Sequence, residues 1–357
     1  MVRVAVGMSG GTDSSVAAAL LKKQGYEVVG IFMEIWDGEI EISDPSRQGC
    51  YGPREQDNIA SAREVAEILG IPFYTFDLRK EYKATVLDYF CDEYLSGRTP
   101  NPCIKCNRYV KFDALVEKAL KSGIDYQFFA TGHYARILFD DKRQRFLLKK
   151  ARDRRKDQSY FLSSLTQEQL RRTLFPLGEY TKEEIRKIAA KLKLGVENRS
   201  ESQDFVEANV LPLIEARAQP GPIVDQQGNV LGKHRGIPYY TVGQRQGLGI
   251  AASHPLYVTA IFPENNTIVV GSKTDVFGDE LTASSVNWIA VEGLQGPMRV
   301  RARIRYNHSE AEATISSIAP NSVYVKFDRP QMAITPGQAV VFYDGDVVVG
   351  GGTIEKA

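Results

Sequence analysis

The chain begins MVRVAVGMSGGTDSSVAAALLKKQGYEVVGIFM, residues 1–33, and this stretch decides the fold. Residues 2–6 have the pattern of a buried strand, residues 14–24 have helical spacing that ends at Gly25, and a second apolar strand follows. Between the first strand and the helix lies the glycine-rich turn SGGTDS, residues 9–14. This order is typical of a phosphate-binding site in an α/β protein.

The alternation of strands and helices continues along the chain. Residues 58–69 predict a helix, IPFYTFDL a strand and DYQFFATGHYA a later strand. Such spacing indicates a parallel sheet with helices on both faces. Ligands of such sheets bind at the carboxyl ends of the strands, where the loops after Ala5, Phe32 and Ala130 would meet.

The second half of the chain has a different pattern. From about residue 205, turn signals recur between short alternating runs, which predicts β-structure. We therefore predict an α/β catalytic domain over residues 1–204, a central β-rich connecting domain over 205–282 and a small C-terminal β-barrel over 283–357.

Composition restricts the classes of partner. With 357 residues, 43% hydrophobic and 25% charged, the chain is long enough for two or three globular domains. It shows no apolar run of about 18 residues and no charged leader, so we expect a cytoplasmic protein with no membrane partner.

The net charge of +1 predicts no bulk attraction to nucleic acid, and we expect no DNA partner. The basic run KKARDRRKDQS, residues 149–159, is either a solvated loop or a local phosphate contact.

The glycine-rich turn lacks the lysine that a mononucleotide P-loop directs at the β- and γ-phosphates. Its glycines let backbone N–H groups approach an anion, and Ser9, Thr12 and Ser14 offer hydroxyl donors. Asp13 would either bind a Mg²⁺ that bridges the phosphates or cap the helix. The pattern favours cleavage between the α- and β-phosphates of ATP, with pyrophosphate as the leaving group.

Four cysteines, at positions 50, 91, 103 and 106, do not make a disulfide framework in so long a chain. Cys103 and Cys106 form a CxxC, which in a reducing compartment indicates redox, sulfur or metal chemistry.

These motifs carry a resemblance. SGGTDS resembles the PP-loop signature of the N-type ATP pyrophosphatases, whose fold is adenine nucleotide alpha hydrolase-like. From residue 3 to about 353, further segments resemble, in order, those of the bacterial tRNA-specific 2-thiouridylases: GRTPNPCIKCNRYVKF, ATGHYAR, KDQSYFL, YTVGQRQGLGI, ARIRY and TPGQAVVFYDGD.

The resemblance implies a tRNA-uridine 2-sulfurtransferase that thiolates the wobble uridine (position 34). ATP, with Mg²⁺, would adenylate the O2 oxygen, and sulfur from a protein-bound persulfide would then displace AMP. The implied partners are tRNA and a sulfur donor, either a persulfide carrier protein or sulfide. A PP-loop ligase that adenylates a carboxylate, and a non-catalytic tRNA-binding paralogue, are the alternatives.

The family's motifs assign roles to residues of this chain. Cys106 is the implied catalytic cysteine, with Cys103 and Asp13, and neighbouring Lys105, Arg108 and Lys111 would favour its thiolate. The implied ATP-binding positions are Gly7, Met8, Ser9, Gly10, Gly11, Thr12, Asp13, Ser14, Met33 and Gly132. The implied tRNA-binding positions are Asn101, Pro102, Cys103, His133, Asp157, Gln158, Ser159, Arg305, Tyr306 and Gln338.

One position departs from the family's pattern. In ESQDFVE, residues 201–207, the family's persulfide cysteine is replaced by Val206, and no cysteine follows Cys106. Two routes of sulfur delivery stay open. Cys103 and Cys106 could act as carrier and resolving thiols, or they could hold a [4Fe–4S] cluster with Cys50 as the third ligand.

Overall fold

The computed structural model describes residues 1–38, 49–197, 199, 204–206, 214 and 217–356, with backbone alone for 204–206. The chain forms two compact units. The first contains residues 1–86, 103–209 and 346–348, and the second contains 87–102, 210–345 and 349–357.

The strands of the first unit are β1 (Arg3–Gly7), β2 (Glu27–Glu34), β3 (Gly49–Tyr51), β4 (Phe73–Asp77), β5 (Phe128–Thr131), β6 (Ala135–Asp140), β7 (Arg145–Lys150), β8 (Thr173–Leu174) and β9 (Asp204–Val206). A central parallel sheet has the order β4-β2-β1-β5-β8. The strand order reverses between β1 and β5, which is where such sheets bind ligands. The predicted parallel sheet is therefore confirmed.

The α-helices whose bounds lie within the described residues are α1 (Thr12–Lys23), α2 (Glu55–Leu69), α3 (Arg79–Tyr82), α4 (Asp88–Leu95), α5 (Pro102–Lys105), α6 (Leu115–Lys121), α7 (Gln167–Arg171) and α8 (Lys182–Leu192). Apolar side chains of α1, α2 and α8, including Val16, Val65 and Ile185, pack with those of β1 and β2 in one buried cluster. Burial of such faces is the main source of helix stability. The core thereby places the first turns of α1 and α8 in one unit with β1.

The cysteine motif is helical. α5 continues into a π-helical stretch, Cys106–Ala114, and then into α6. Pro102 is compatible because the first helical position needs no N–H donor, and no glycine or further proline interrupts residues 103–121. π-Helical turns occur frequently at functional sites.

The second unit is β-rich, as predicted. A four-stranded sheet has the order β11-β10-β13-β12, made of β10 (Gly221–Val224), β11 (Val230–His234), β12 (Tyr257–Phe262) and β13 (Thr267–Gly271). Six further strands form the C-terminal barrel: β14 (Phe277–Trp288), β15 (Met298–Arg303), β16 (Ala311–Ala319), β17 (Ser322–Met332), β18 (Ala339–Asp344) and β19 (Val347–Lys356). The barrel closes because β14 pairs with both β17 and β19. The exact three-domain division stays a prediction. Among the described residues, no helix is long and apolar enough to cross a membrane.

Candidate active site

The glycine-rich loop continues β1 into α1. Met8 N–H still donates to Ile31 O at 2.8 Å, and Ser9 N–H then donates to Ser14 Oγ at 3.1 Å. The loop therefore folds back on the first turn of α1. Within the described residues no side chain caps α1, whose N-cap is Gly11. The positive end of the helix dipole is thus combined with the Ser9 and Ser14 hydroxyls, as a phosphate site requires.

Two glycines are required by close packing. Gly10 has φ +74°, and a Cβ there would lie 2.4 Å from Asn58 O on α2. A Cβ on Gly132, which follows β5, would lie 2.6 Å from Ser14 N. Gly132 therefore contacts the first turn of α1, and its role in binding the nucleotide stays a prediction.

Asp13 lies in an ion pair that the sequence did not reveal. Both of its carboxylate oxygens accept from Lys182 Nζ at 2.8 Å, and Oδ1 also accepts from the Tyr134 hydroxyl at 2.8 Å. Asp13 does not cap α1, so the capping alternative is wrong. Its predicted Mg²⁺ role stays a prediction, and a single carboxylate beside phosphate oxygens is a donor set that suits Mg²⁺.

Lys182 is the first residue of α8 and is 169 positions from Asp13. Its only local signal was the capping box of Thr181 and Glu184, which predicts a helix start and nothing about the ion pair. A second residue missed from sequence, Arg199, donates from Nη1 to Gly10 O at 2.8 Å. Tyr134 was quoted within ATGHYAR without a role.

The loop after β2 is held by a buried carboxylate. Glu55 Oε1 accepts from the backbone N–H groups of Ile35 and Trp36 at 2.7 and 2.9 Å. Burial raises the pKa of Glu55, and these two hydrogen bonds oppose the rise. Met33, a predicted ATP contact, is a partly buried residue of β2 two positions before this anchor.

Cys106 is less acidic than its basic neighbours suggested. Burial raises the pKa of its thiol to about 11, and Lys111 opposes that rise without cancelling it. The other two cations are engaged elsewhere: the Lys105 ammonium and the Arg108 guanidinium both lie over the Tyr109 ring. Of the three cations expected to favour the thiolate, Lys111 does so, but desolvation outweighs it and the pKa of the thiol is raised.

Three cysteines act electrostatically on Tyr82. Burial raises the pKa of Tyr82 well above its ordinary value, and the neighbouring Cys106, Cys50 and Cys103 add to the rise. All four cysteines of the chain are thiols, and Cys50 is the exposed one. In the part of the chain that the structure describes, no three His, Cys, Asp or Glu side chains are arranged to hold a metal ion.

Position 206 lies beside Cys50 in the fold. The backbone of β9 pairs in parallel with β3, with Val206 opposite Tyr51. The strand that carries Cys50 is therefore next to the position at which the family has its persulfide cysteine. The Val206 side chain lies outside the described residues.

His133 connects the glycine-rich loop with the helical stretch that contains Cys106. Its Nδ1 is 2.7 Å from Thr131 Oγ1, and its ring lies 5.9 Å from that of Phe112 and 6.0 Å from that of Phe175. Burial and then Lys111 lower the pKa of His133 well below its ordinary value, so its imidazole is neutral near pH 7. Lys111 thus acts on both His133 and Cys106.

The DQS segment has an architectural role in this structure. Asp157 accepts from Ala151 N–H at 2.9 Å and from the Ser159 hydroxyl at 2.8 Å, and both residues are buried. Gln158 Oε1 accepts from Tyr134 N–H at 2.9 Å. These bonds hold the end of the basic run, residues 157–159, beside Tyr134. Direct contact of the three side chains with tRNA stays a prediction.

The second unit carries the remaining predicted tRNA positions. Gln338 Nε2 donates to Thr99 O at 3.1 Å and Pro100 O at 3.0 Å, immediately before Asn101 and Pro102. The structure therefore brings these predicted positions together. Arg305 donates to Met332 O at 2.6 Å, and the Tyr306 ring lies under the Arg303 guanidinium, 5.1 Å from it.

Three family models match the chain in order. They are a tRNA methyl transferase HUP domain over residues 2–207, a tRNA methyl transferase PRC-barrel domain over 212–272 and an aminomethyltransferase beta-barrel domain over 278–354. A crystal structure of a 4-thiouridine synthetase–RNA complex with bound ATP is 16% identical, covers 60% of this chain and 49% of its own, and has a TM-score of 0.36. That superposition is too loose to bear on function.

Curated relatives match over the full length. The tRNA-specific 2-thiouridylase MnmA of Acetivibrio thermocellus is 50% identical over 99% of both chains. That of Lachnoclostridium phytofermentans is 51% identical over 100% of both. The resemblance inferred from the motifs is confirmed: the chain belongs to the tRNA-specific 2-thiouridylase family.

Proposed function

We propose that this protein catalyses ATP-dependent 2-thiolation of the wobble uridine (position 34) of tRNA, through an adenylated O2 and with sulfur delivered by the Cys103–Cys106 pair. One observation carries the proposal. The ring of His133 lies 5.9 Å from that of Phe112, in the helical stretch that begins at Cys106, and His133 follows Gly132, which packs on the first turn of α1. A phosphate loop and a thiol pair are thereby joined within one unit.

The activation step explains the glycine-rich loop. A uracil carbonyl oxygen is a poor leaving group, so O2 must first be bonded to the α-phosphorus of ATP. That reaction breaks the bond between the α- and β-phosphates and releases pyrophosphate. The N-terminus of α1 and the loop hydroxyls would hold the phosphates, and Asp13 would hold the Mg²⁺ that neutralises them.

The sulfur step uses two thiols. A donor places a persulfide on one thiol of the Cys103–Cys106 pair, and its terminal sulfur bonds to C2 as AMP leaves with the former O2. The second thiol then attacks the first cysteine's sulfur. That attack releases the thiocarbonyl of the tRNA and leaves a Cys103–Cys106 disulfide, which a dithiol reductant returns to the starting state. The spacing i, i+3 places both cysteines on the same side of the helix.

A [4Fe–4S] cluster fits less well. Cys50, Cys103 and Cys106 all act electrostatically on Tyr82, but the described residues hold no three-ligand set for a metal ion. We therefore derive no step through a cluster. Anaerobically purified protein that shows the broad absorbance near 400 nm typical of iron–sulfur proteins, and loses it on Cys50→Ser, would overturn the dithiol route. The dithiol route predicts no effect of Cys50→Ser on thiolation.

The reaction can be tested directly. The full-length protein is incubated with tRNA, Mg²⁺·ATP, a persulfide donor and a dithiol, and the nucleosides are then analysed by mass spectrometry. We expect 2-thiouridine with AMP and pyrophosphate in equal amounts. ADP and phosphate as the stoichiometric products would overturn the activation step. Tight tRNA binding with neither product would support the non-catalytic alternative.

Contact of the basic run with tRNA can be tested by two matched arginines. Arg155 is 92% exposed, whereas the Arg154 guanidinium is paired with Asp346 at 2.6 Å. If the run contacts phosphates, Arg155→Ala should reduce the salt-dependence slope of tRNA binding by about 0.7 to 0.9, with a smaller change for Arg154→Ala. An unchanged slope for Arg155→Ala, measured by filter binding, would show that the basic run is a solvated loop that makes no phosphate contact at Arg155.

A further inference from the structure

The glycine-rich loop lacks a lysine, but the fold supplies one from a distant segment. Lys182 Nζ lies 2.8 Å from both carboxylate oxygens of Asp13, and the Lys182 side chain is 10% exposed. Asp13 belongs to the first turn of α1, the turn that would bind the phosphates. The Lys182 ammonium is therefore held at the first turn of α1, within the predicted phosphate site.

The backbone of Lys182 is fixed at the start of α8. Its N–H donates to Asp153 Oδ2 at 3.1 Å, and the capping box of Thr181 and Glu184 fixes the start of α8. The Asp13 side chain, at 27% exposure, is more accessible than its lysine partner. An incoming cation would therefore reach the carboxylate from the open side.

Binding of Mg²⁺ at Asp13 would make Lys182 exchange its carboxylate partner for another anion. If Mg²⁺ takes the Asp13 carboxylate, the Lys182 ammonium loses the anion that compensates it in a largely buried position. A buried ammonium without a counter-charge is strongly unfavourable, so it needs a new anion. The anion that arrives with Mg²⁺ is the polyphosphate.

We infer that Lys182 is a phosphate-binding residue of the nucleotide site. It neutralises Asp13 in the absence of nucleotide and contacts the pyrophosphate portion of ATP once Mg²⁺ occupies Asp13. In that role it stabilises the charge that develops on the leaving pyrophosphate, as the P-loop lysine does for γ-phosphoryl transfer. The inference rests on the proposed adenylation, since it concerns the leaving group of that reaction.

A purely structural role makes a different prediction. If Lys182 serves only to neutralise Asp13, it becomes dispensable once Asp13 is neutral. If it binds phosphate, its loss weakens ATP binding whether or not Asp13 carries a charge. A double-mutant cycle over Asp13→Asn and Lys182→Gln separates the two roles.

The experiment is calorimetric titration of the full-length protein with Mg²⁺·ATP, Mg²⁺·pyrophosphate and AMP. We expect Lys182→Gln to weaken binding of the first two probes roughly 10- to 100-fold and that of AMP by less than about threefold. The same loss should occur in the Asp13→Asn background. That double variant also keeps the test valid if Lys182→Gln alone leaves Asp13 unpaired and fails to fold. The matched control is Lys187→Gln, on the exposed side of α8 and paired with Glu183, which should bind as wild type does.

The outcomes are distinguishable. Equal Mg²⁺·ATP affinity of Asp13→Asn with and without Lys182→Gln overturns the inference, as does an equal loss for AMP. If wild type forms AMP and pyrophosphate but Lys182→Gln binds Mg²⁺·ATP normally, only the inference fails. If wild type binds Mg²⁺·ATP and Lys182→Gln does not, yet tRNA elicits no AMP, the proposed reaction fails and the lysine's role stands.

Discussion

The glycine-rich loop and the cysteine helix are the two reactive regions of the first unit, and different forces determine them. The loop, residues 7–14, is shaped by backbone geometry: a left-handed Gly10, a tight approach by Gly132 and a helix start at Gly11. The cysteine helix, residues 102–107, changes from α-helix to π-helix at Cys106, and its reactivity depends on desolvation of one thiol.

This difference separates steric from electrostatic control. At Gly10, and at Gly132 beside the loop, an added methyl group would alter the site because no space exists for it. In the cysteine helix, a change of neighbouring charge would alter the site although the shape stays the same. Each of the following predictions tests one side of this contrast.

The largest effect is expected for Cys106→Ser. Thiolation of tRNA should fall below detection because the alcohol cannot carry or release sulfur. Release of pyrophosphate on adenylation of the tRNA should continue, whereas AMP leaves only when sulfur arrives. Parallel assays of 2-thiouridine and pyrophosphate measure the two steps. Cys91→Ser, a replacement in α4, is the control and should retain both. Loss of pyrophosphate release in Cys106→Ser would show that the two regions are not chemically separable.

A smaller but still large effect is expected for Gly10→Ala, with Gly195→Ala as its matched control. Both glycines have φ +74°, but a Cβ at Gly195 meets nothing within 4 Å, whereas one at Gly10 meets Asn58 O at 2.4 Å. Gly195→Ala should cost about 1 to 2 kcal/mol of unfolding free energy from backbone strain alone. Gly10→Ala should cost about 1 to 3 kcal/mol more and weaken Mg²⁺·ATP binding.

Urea denaturation and calorimetry measure this pair. Equal destabilisation of the two variants would mean that the loop tolerates the methyl group, and that steric control of the phosphate site is weaker than its geometry indicates.

Sequence reasoning predicted the first region better than the second, for a physical reason. The order of strand, SGGTDS and helix, and the fold class, follow from local periodicity and glycine placement, which act over a few residues. The Asp13–Lys182 pair joins segments 169 positions apart, so no local pattern contains it. The raised pKa of Cys106 depends on what covers the thiol, and a list of neighbouring cations does not describe that cover.

The smallest effect concerns the pH dependence of Cys106. Because folding raises its pKa from about 9 to about 11, the protonated thiol contributes stability that is present in full below about pH 9 and is lost as the pH rises through about 11. At pH 8, iodoacetamide should therefore alkylate Cys106 about 100-fold more slowly than an ordinary thiol, since the thiolate is the nucleophile. The exposed Cys50 should react before it.

Two lysines then isolate the cause of that profile. Lys111 lowers the pKa of Cys106, so Lys111→Met should move the alkylation profile to higher pH. Lys105→Met should leave it in place, because the Lys105 ammonium lies over the Tyr109 ring. The rate at each pH can be followed by peptide mass spectrometry of Cys106 in the full-length protein. If the two variants shift the alkylation profile equally, the thiol responds to the net charge of the helix. Desolvation opposed by Lys111 alone would then no longer account for the pKa of Cys106. An alkylation midpoint near or below pH 9 in the wild-type protein would show that the Cys106 thiol is solvated. The contrast between the glycine-rich loop and the cysteine helix would then be lost.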